Sequence, residues 1–161
     1  MLSRILDRIL TGTSILAGLL LLFITFSISY GITLRAFGIQ SPVWTVQFNE
    51  YSLLWITFLG SAWVLSRRKH VAIDIVTSRL NPRARRIMEI VHGFMGAGLC
   101  AVLCFYTSLM ALNLFQRGVT DVQAVDVPKS LVIIVIPIGF LLLILQFLRI
   151  LIGVTRNTPA K

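Results

Sequence analysis

The stretch from Val43 to Asp74 constrains the chain most. Its apolar part is long enough to cross a bilayer, because roughly 20 apolar residues at 1.5 Å each span the ~30 Å hydrocarbon core. It also carries an acid, Glu50, where charge is costly, and an ionisable group inside a membrane segment needs a partner. The stretch stops at Arg67-Arg68-Lys69-His70, a basic block that resists translocation and so fixes which way the helix points.

Other apolar runs of similar length surround it. With 57% hydrophobic residues, 13% charged residues and a mean hydropathy of +0.88, a 161-residue chain is too apolar for a soluble domain of its size. The pattern predicts an all-α integral membrane protein of one domain, 1–161, with four spans at about 9–36, 43–66, 84–115 and 130–153. The first run is too long for a secretory signal and lacks a small-residue cleavage site, so an uncleaved anchor helix is expected. Ser27 and Gly31, four apart, allow another helix to approach it closely. Pro42 suits the start of the second helix, and Asn81-Pro82 reads as an N-cap followed by proline at the first helical position. Between them, 71–80 places Ile73, Val76 and Leu80 opposite Asp74 and Ser78, which fits a short amphipathic helix on the membrane surface. Gln116 to Lys129 is polar. In the last span Pro137 removes a helical hydrogen bond and predicts a kink, with Gly139 nearby.

The net charge of +9 does not indicate nucleic acid, because the bases lie at the ends of apolar runs and not along one polar face. Their distribution instead sets orientation. Arg4, Arg8, Arg67, Arg68, Lys69, Arg79, Arg83, Arg85, Arg86, Arg149, Arg156 and Lys161 fall on one side of a four-span chain, against Arg35, Arg117 and Lys129 on the other. The excess of Lys and Arg on cytoplasmic loops then predicts both termini and the middle connection inside.

Few residues are candidates for chemistry. Arg35 ends the first span and Glu50 lies about two turns into the second, so an outer hairpin can bring them to similar depth as an ion pair. That pair can be a structural lock; Glu50 can instead face another subunit or carry protons. His70 and His92 could in principle ligate haem, but His70 sits in a cationic block, and packing or headgroup contact is the better reading. Glu89 follows Arg85-Arg86 by about one turn and is expected to neutralise one of them. Cys100 and Cys104, four apart in an apolar run, read as small packing residues and lack the spacing of a redox or zinc motif. Gly93, Ala97 and Ala101 form a stripe of small residues suited to helix packing. No nucleophile–base pair, metal-ligand cluster or phosphate-cradling loop is present, so neither an enzyme nor a resident cofactor is expected.

Taken in order, Arg35, Trp44, Glu50-Tyr51, Phe58-Leu59-Gly60-Ser61-Ala62, Arg67-Arg68-Lys69-His70-Val71, Asp74 and Ile136-Pro137-Ile138-Gly139 resemble the small membrane subunit of TRAP transporters, the DctQ type. Lys69 departs from a small residue, often glycine, at that position. The resemblance implies an accessory subunit of a sodium-driven importer in the bacterial inner membrane. Its partners would be a large membrane subunit of the DctM type, which carries substrate and sodium, and a periplasmic substrate-binding protein of the DctP type, which delivers an organic acid anion. In that picture Trp44, Tyr51, Trp55, Gly93, Ala97, Ala101, Pro137 and Gly139 face the large subunit. Ser41, Pro42, Asp121 and Asp126 lie on the periplasmic surface. Arg67, Arg68, Lys69, His70 and Asp74 anchor the cytoplasmic side on phospholipids. Two other classes compete: a stand-alone proton-coupled exporter using Glu50, and a haem-bearing anchor subunit.

Overall fold

The computed structural model describes residues 2–67, 82–122 and 124–156. Helices α1 (Leu2–Ala36), α2 (Val43–Arg67) and α3 (Pro82–Gln116) are followed by a two-stranded hairpin, β1 (Thr120–Val122) and β2 (Asp126–Pro128). The short helix α4 (Lys129–Ile133) then leads into α5 (Val135–Arg156). Helix α1 starts upstream of the expected residue 9, and α3 starts at Pro82, as a proline pre-set for a first helical turn predicts. The expected surface helix at 71–80 lies outside the described residues, as do Arg68, Lys69, His70 and Asp74.

Helices α1 and α3 end in the same way. After α1 the Gly38 N–H donates to Arg35 O at 3.0 Å and Ile39 N–H to Leu34 O at 3.0 Å. After α3 the Gly118 N–H donates to Phe115 O at 3.2 Å and Val119 N–H to Leu114 O at 3.3 Å. This is the paired-bond termination that needs a left-handed residue, supplied by Gly38 (φ 75°) and Gly118 (φ 58°). Inside α1 the hydroxyls of Thr25, Ser29 and Thr33 donate to carbonyls four residues back at 2.7–2.9 Å, which satisfies them where no water is available.

The helices pack as an open row, α1 against α2, α2 against α5, and α5 against α3. Close approach is concentrated on α5. A Cβ at Gly139 would lie 2.8 Å from Phe58 Cβ and 2.9 Å from Phe58 O, so α2 and α5 touch backbone to backbone there. A Cβ at Gly93 would meet Leu151 at 2.8 Å, and one at Gly96 would meet Phe147 at 2.6 Å. Cys100 is buried and the Cys104 thiol donates to Pro137 O at 3.5 Å, so both cysteines are free packing residues on the α3–α5 seam. The seam therefore runs Gly93–Gly96–Cys100–Cys104. Ala97 is half-buried beside it and Ala101 is exposed. At one end of the row Leu10, Ala62 and Leu142 form a small core joining α1, α2 and α5.

Helix α4 passes into α5 through the single residue Ile134, which keeps right-handed helical angles, so the last span is interrupted three residues before Pro137. The ring of Pro137 conflicts with the carbonyl four residues earlier, and placing the proline in the first turn of α5 relieves this because its missing N–H is not needed there.

Candidate functional site

The most highly connected polar group is Gln47, two residues after the buried Thr45 on α2 and itself fully buried. The Thr45 hydroxyl and N–H both donate to Pro42 O, at 2.7 and 3.2 Å, and so fix the start of the helix. One turn into α2, the Gln47 Nε2 donates to Tyr51 Oη at 2.8 Å and to Val125 O at 2.9 Å. Its Oε1 accepts the N–H groups of Ala124 and Val125 at 3.2 and 3.0 Å. The amide thus uses both donors and both acceptor positions, which is the condition for burying it without loss. Tyr51 completes the set by donating to Asp121 Oδ2 at 2.8 Å. The hairpin, in register Thr120↔Pro128, Asp121↔Val127 and Val122↔Asp126, is thereby clamped at both its tip and its first strand to α2.

Around the clamp, Phe48 packs edge-on to Trp44 and Tyr51 with ring centroids 6.3 and 6.2 Å apart. Trp44 is exposed and Trp55 half-buried; Asp126 is exposed on β2. Asp121 is therefore part of an internal bond network and not simply outer surface.

The structure does not join Arg35 to Glu50. The Arg35 guanidinium donates to Ser41 Oγ from Nε at 3.3 Å and from NH2 at 3.2 Å, closing the α1–α2 turn locally. Glu50 is exposed on α2, with no hydrogen bond or ion pair among the described residues. Ser41 is only six residues from Arg35 in sequence and lies within the turn, whereas reaching Glu50 requires the side chain to extend along α2. Ser41 also lies under Gly31, whose Cβ would be 3.7 Å from Ser41 Cβ, so the small-residue face of α1 turns toward this loop.

At the opposite end of the row, Asp7 on α1 and Arg149 on α5 form a two-pronged ion pair, Arg149 NH1 to Asp7 Oδ1 and NH2 to Oδ2, the second at 3.0 Å. Arg67, the one member of the basic block within the described residues, lies over the Trp63 ring at 5.4 Å from its centroid. Gly93 and Gly139, expected to face a partner, spend their open side within the chain, against Leu151 and Phe58. Pro137 likewise offers its carbonyl to Cys104. The sequence reading missed Gln47 and the Asp7–Arg149 pair. The available signal was an amide, Gln47, set with Asn49 and Glu50 in the first turns of the second long helix, and an acid and a base near the ends of the first and last spans.

His92 is exposed, with Nδ1 at 3.1 Å from the Met88 carbonyl. Among the described residues, no group of three His, Cys, Asp or Glu is placed to hold a metal. What the arrangement does is mechanical: it fixes one turn and one hairpin to α2.

Among the described residues, three helices are long and apolar enough to cross a membrane, over Leu6–Ala36, Arg86–Gln116 and Lys129–Gly153, which defines a multi-pass helical membrane protein. Helix α2 matches them in length, but Gln47, Asn49 and Glu50 lower its apolarity. Residues 24–157 match the family model of the DctQ component of tripartite ATP-independent periplasmic transporters, and the chain belongs to that family, the TRAP small permease subunits. It is 22% identical over 120 residues to the C4-dicarboxylate TRAP transporter small permease protein DctQ of Pseudomonas aeruginosa, covering 73% of this chain and 57% of that one. It is 26% identical over 134 residues to the ectoine TRAP transporter small permease protein TeaB of Halomonas elongata, covering 83% and 68%. It is 27% identical over 150 residues to the isethionate TRAP transporter permease protein DctMQ of Oleidesulfovibrio alaskensis, covering 88% of this chain and 23% of that one. The chain thus spans little more than half the length of the P. aeruginosa relative and under a quarter of the O. alaskensis protein.

Proposed function

We propose that this subunit is the brace of a TRAP importer: it holds a large, sodium-coupled membrane subunit in place while that subunit moves an organic acid anion delivered by a periplasmic binding protein. The observation that carries this reading is the division of surface in the row. Only 11% of the span window of α1 and 6% of that of α3 is buried within the chain, against 28% for the last span. Phe26, Phe94 and Phe105 are 73%, 74% and 62% exposed, so broad apolar faces remain for lipid and for another helical subunit. Within the row, the polar groups of Gln47, Tyr51 and Asp121, and of Asp7 and Arg149, tie segments together. The O. alaskensis relative, whose name joins both components and of which this chain matches 23%, favours a large membrane partner.

The same reading takes α2 as a fourth span, with both termini in the cytoplasm of an inner-membrane protein. The start of α1 and the ends of α2 and α5 meet around one cavity, with Arg67 and Arg149 in its lining, which supports an even number of crossings. Glu50 then faces a cationic group of the large subunit, and the basic block at Arg67 rests on phospholipid. Co-expression with a large TRAP membrane subunit tests the proposal. Co-purification, and uptake that needs both chains, a receptor and a sodium gradient, is the expected result; uptake undiminished by deleting this chain contradicts it.

A further inference from the structure

The end of the row where α1 begins and α2 and α5 finish encloses a cavity of about 320 Å³, lined by Asp7, Trp63, Ser66, Arg67, Gln146 and Arg149 together with apolar neighbours. By the usual share of ~30 Å³ per water this is room for about ten waters, or for a small polar group of comparable size. The lining falls in the first two turns of the span Leu6–Ala36 and the last two turns of the span Lys129–Gly153, so on the membrane reading the cavity lies at the ends of the spans, toward the headgroups. Gln146 is 2% exposed, and its Oε1 has no hydrogen-bond partner. A buried amide oxygen left unpaired is costly, so the site lacks a donor. Arg67 has its guanidinium stacked over Trp63 and is paired with no carboxylate among the described residues. Two guanidinium groups against the single Asp7 carboxylate leave the lining with one net positive charge.

The geometry points to a binding site for the headgroup of an anionic phospholipid of the phosphatidylglycerol type. Its phosphate sits on Arg67, and a headgroup hydroxyl donates to Gln146 Oε1. Arg149, held by Asp7, supplies the second positive edge. A zwitterionic headgroup brings no net charge and leaves the excess uncompensated. A phosphate monoanion carrying hydroxyl donors answers both the charge and the orphaned acceptor. This rests on the membrane reading of the chain and adds a selective site to it.

The full-length chain, extracted in its native assembly, is equilibrated in mixed micelles containing phosphatidylglycerol, phosphatidylcholine or inorganic phosphate, and retained ligand is read by native mass spectrometry. Phosphatidylglycerol is expected to be held in preference to phosphatidylcholine. Arg67→Gln should weaken that retention about tenfold, the scale of a lost charge-assisted contact. Gln146→Leu should weaken it as well, and Lys129→Gln, at the other end of the row, should leave it unchanged. Equal retention of the two lipids, or an Arg67→Gln protein that binds as the parent does, overturns the site. Inorganic phosphate bound as tightly as phosphatidylglycerol overturns the lipid as its source. Liposome flotation is measured in parallel: a chain that floats without lipid preference overturns the headgroup site alone, and one that does not float overturns the membrane reading with it.

Discussion

The Tyr51 hydroxyl donates to the Asp121 carboxylate at 2.8 Å, joining the second helix to a strand 70 residues further along the chain. Both groups are part-buried, and Tyr51 in turn accepts from the fully buried Gln47. The link converts a polar connection between two spans into a fixed strap. Tyr51→Phe removes two bonds, the one given to Asp121 and the one accepted from Gln47, and should destabilise the chain by about 1–3 kcal/mol. Combined with Asp121→Ala in a double-mutant cycle, it should give a coupling of about 0.5–1.5 kcal/mol, read from thermal unfolding in detergent. Full additivity would mean the strap is not formed.

Gln47→Leu is the harsher change. It leaves the Ala124 and Val125 N–H groups and the Val125 carbonyl without their partner in part-buried hydrogen bonds. A loss of about 1–3 kcal/mol is expected, with the hairpin opening first. Limited proteolysis should show cleavage near Gln123 speeding up while cleavage elsewhere stays at the parental rate.

Glycine substitutions separate contact from composition. Gly139→Ala drives a Cβ to within 2.9 Å of the Phe58 carbonyl, a backbone atom that cannot swing away. It should cost about 1–3 kcal/mol by forcing α2 and α5 apart. Gly98→Ala meets nothing within 4 Å and should be neutral or stabilising by about 0.4–1 kcal/mol. Melting temperatures of the two proteins in the same detergent check the contrast.

Glu50 gives the sharpest divergence from what the sequence suggests. An Arg35–Glu50 lock predicts that changing either residue destabilises the chain and that the two changes are strongly coupled. With Arg35 on Ser41 and Glu50 exposed, Glu50→Gln should leave the isolated chain within about 0.5 kcal/mol of the parent. If Glu50 meets the large subunit, the same variant should co-purify with it less well. A Glu50→Gln protein that unfolds much earlier than the parent would restore the intramolecular pair.

The long apolar helices over Leu6–Ala36, Arg86–Gln116 and Lys129–Gly153 were legible because length and apolarity decide them. Asn81-Pro82 likewise pointed to the start of α3 at Pro82, and the i,i+4 spacing of Cys100 and Cys104 pointed to packing. The polar contacts were not legible. An amide at Gln47 announces that it needs partners, but its partners are main-chain groups 77 and 78 residues away in a segment with little pattern of its own. The small-residue stripe was placed one register off. Gly93 was correct, but Gly96 and Cys100, not Ala97 and Ala101, carry the seam, because the direction α5 takes across α3 selects the face. Arg35 was assigned the acid because charge pairing is the strongest sequence cue, while the geometry of a six-residue turn favoured a nearby hydroxyl.

The central claim is that this chain supports transport without conducting it. Proteoliposomes containing the purified chain alone, the large subunit alone, or both together should be compared for sodium-gradient-driven uptake of a panel of organic anions supplied with the binding protein. The account predicts background flux from the chain alone and full uptake only from the pair. Solute flux from the chain alone, matching that of the pair, would contradict it.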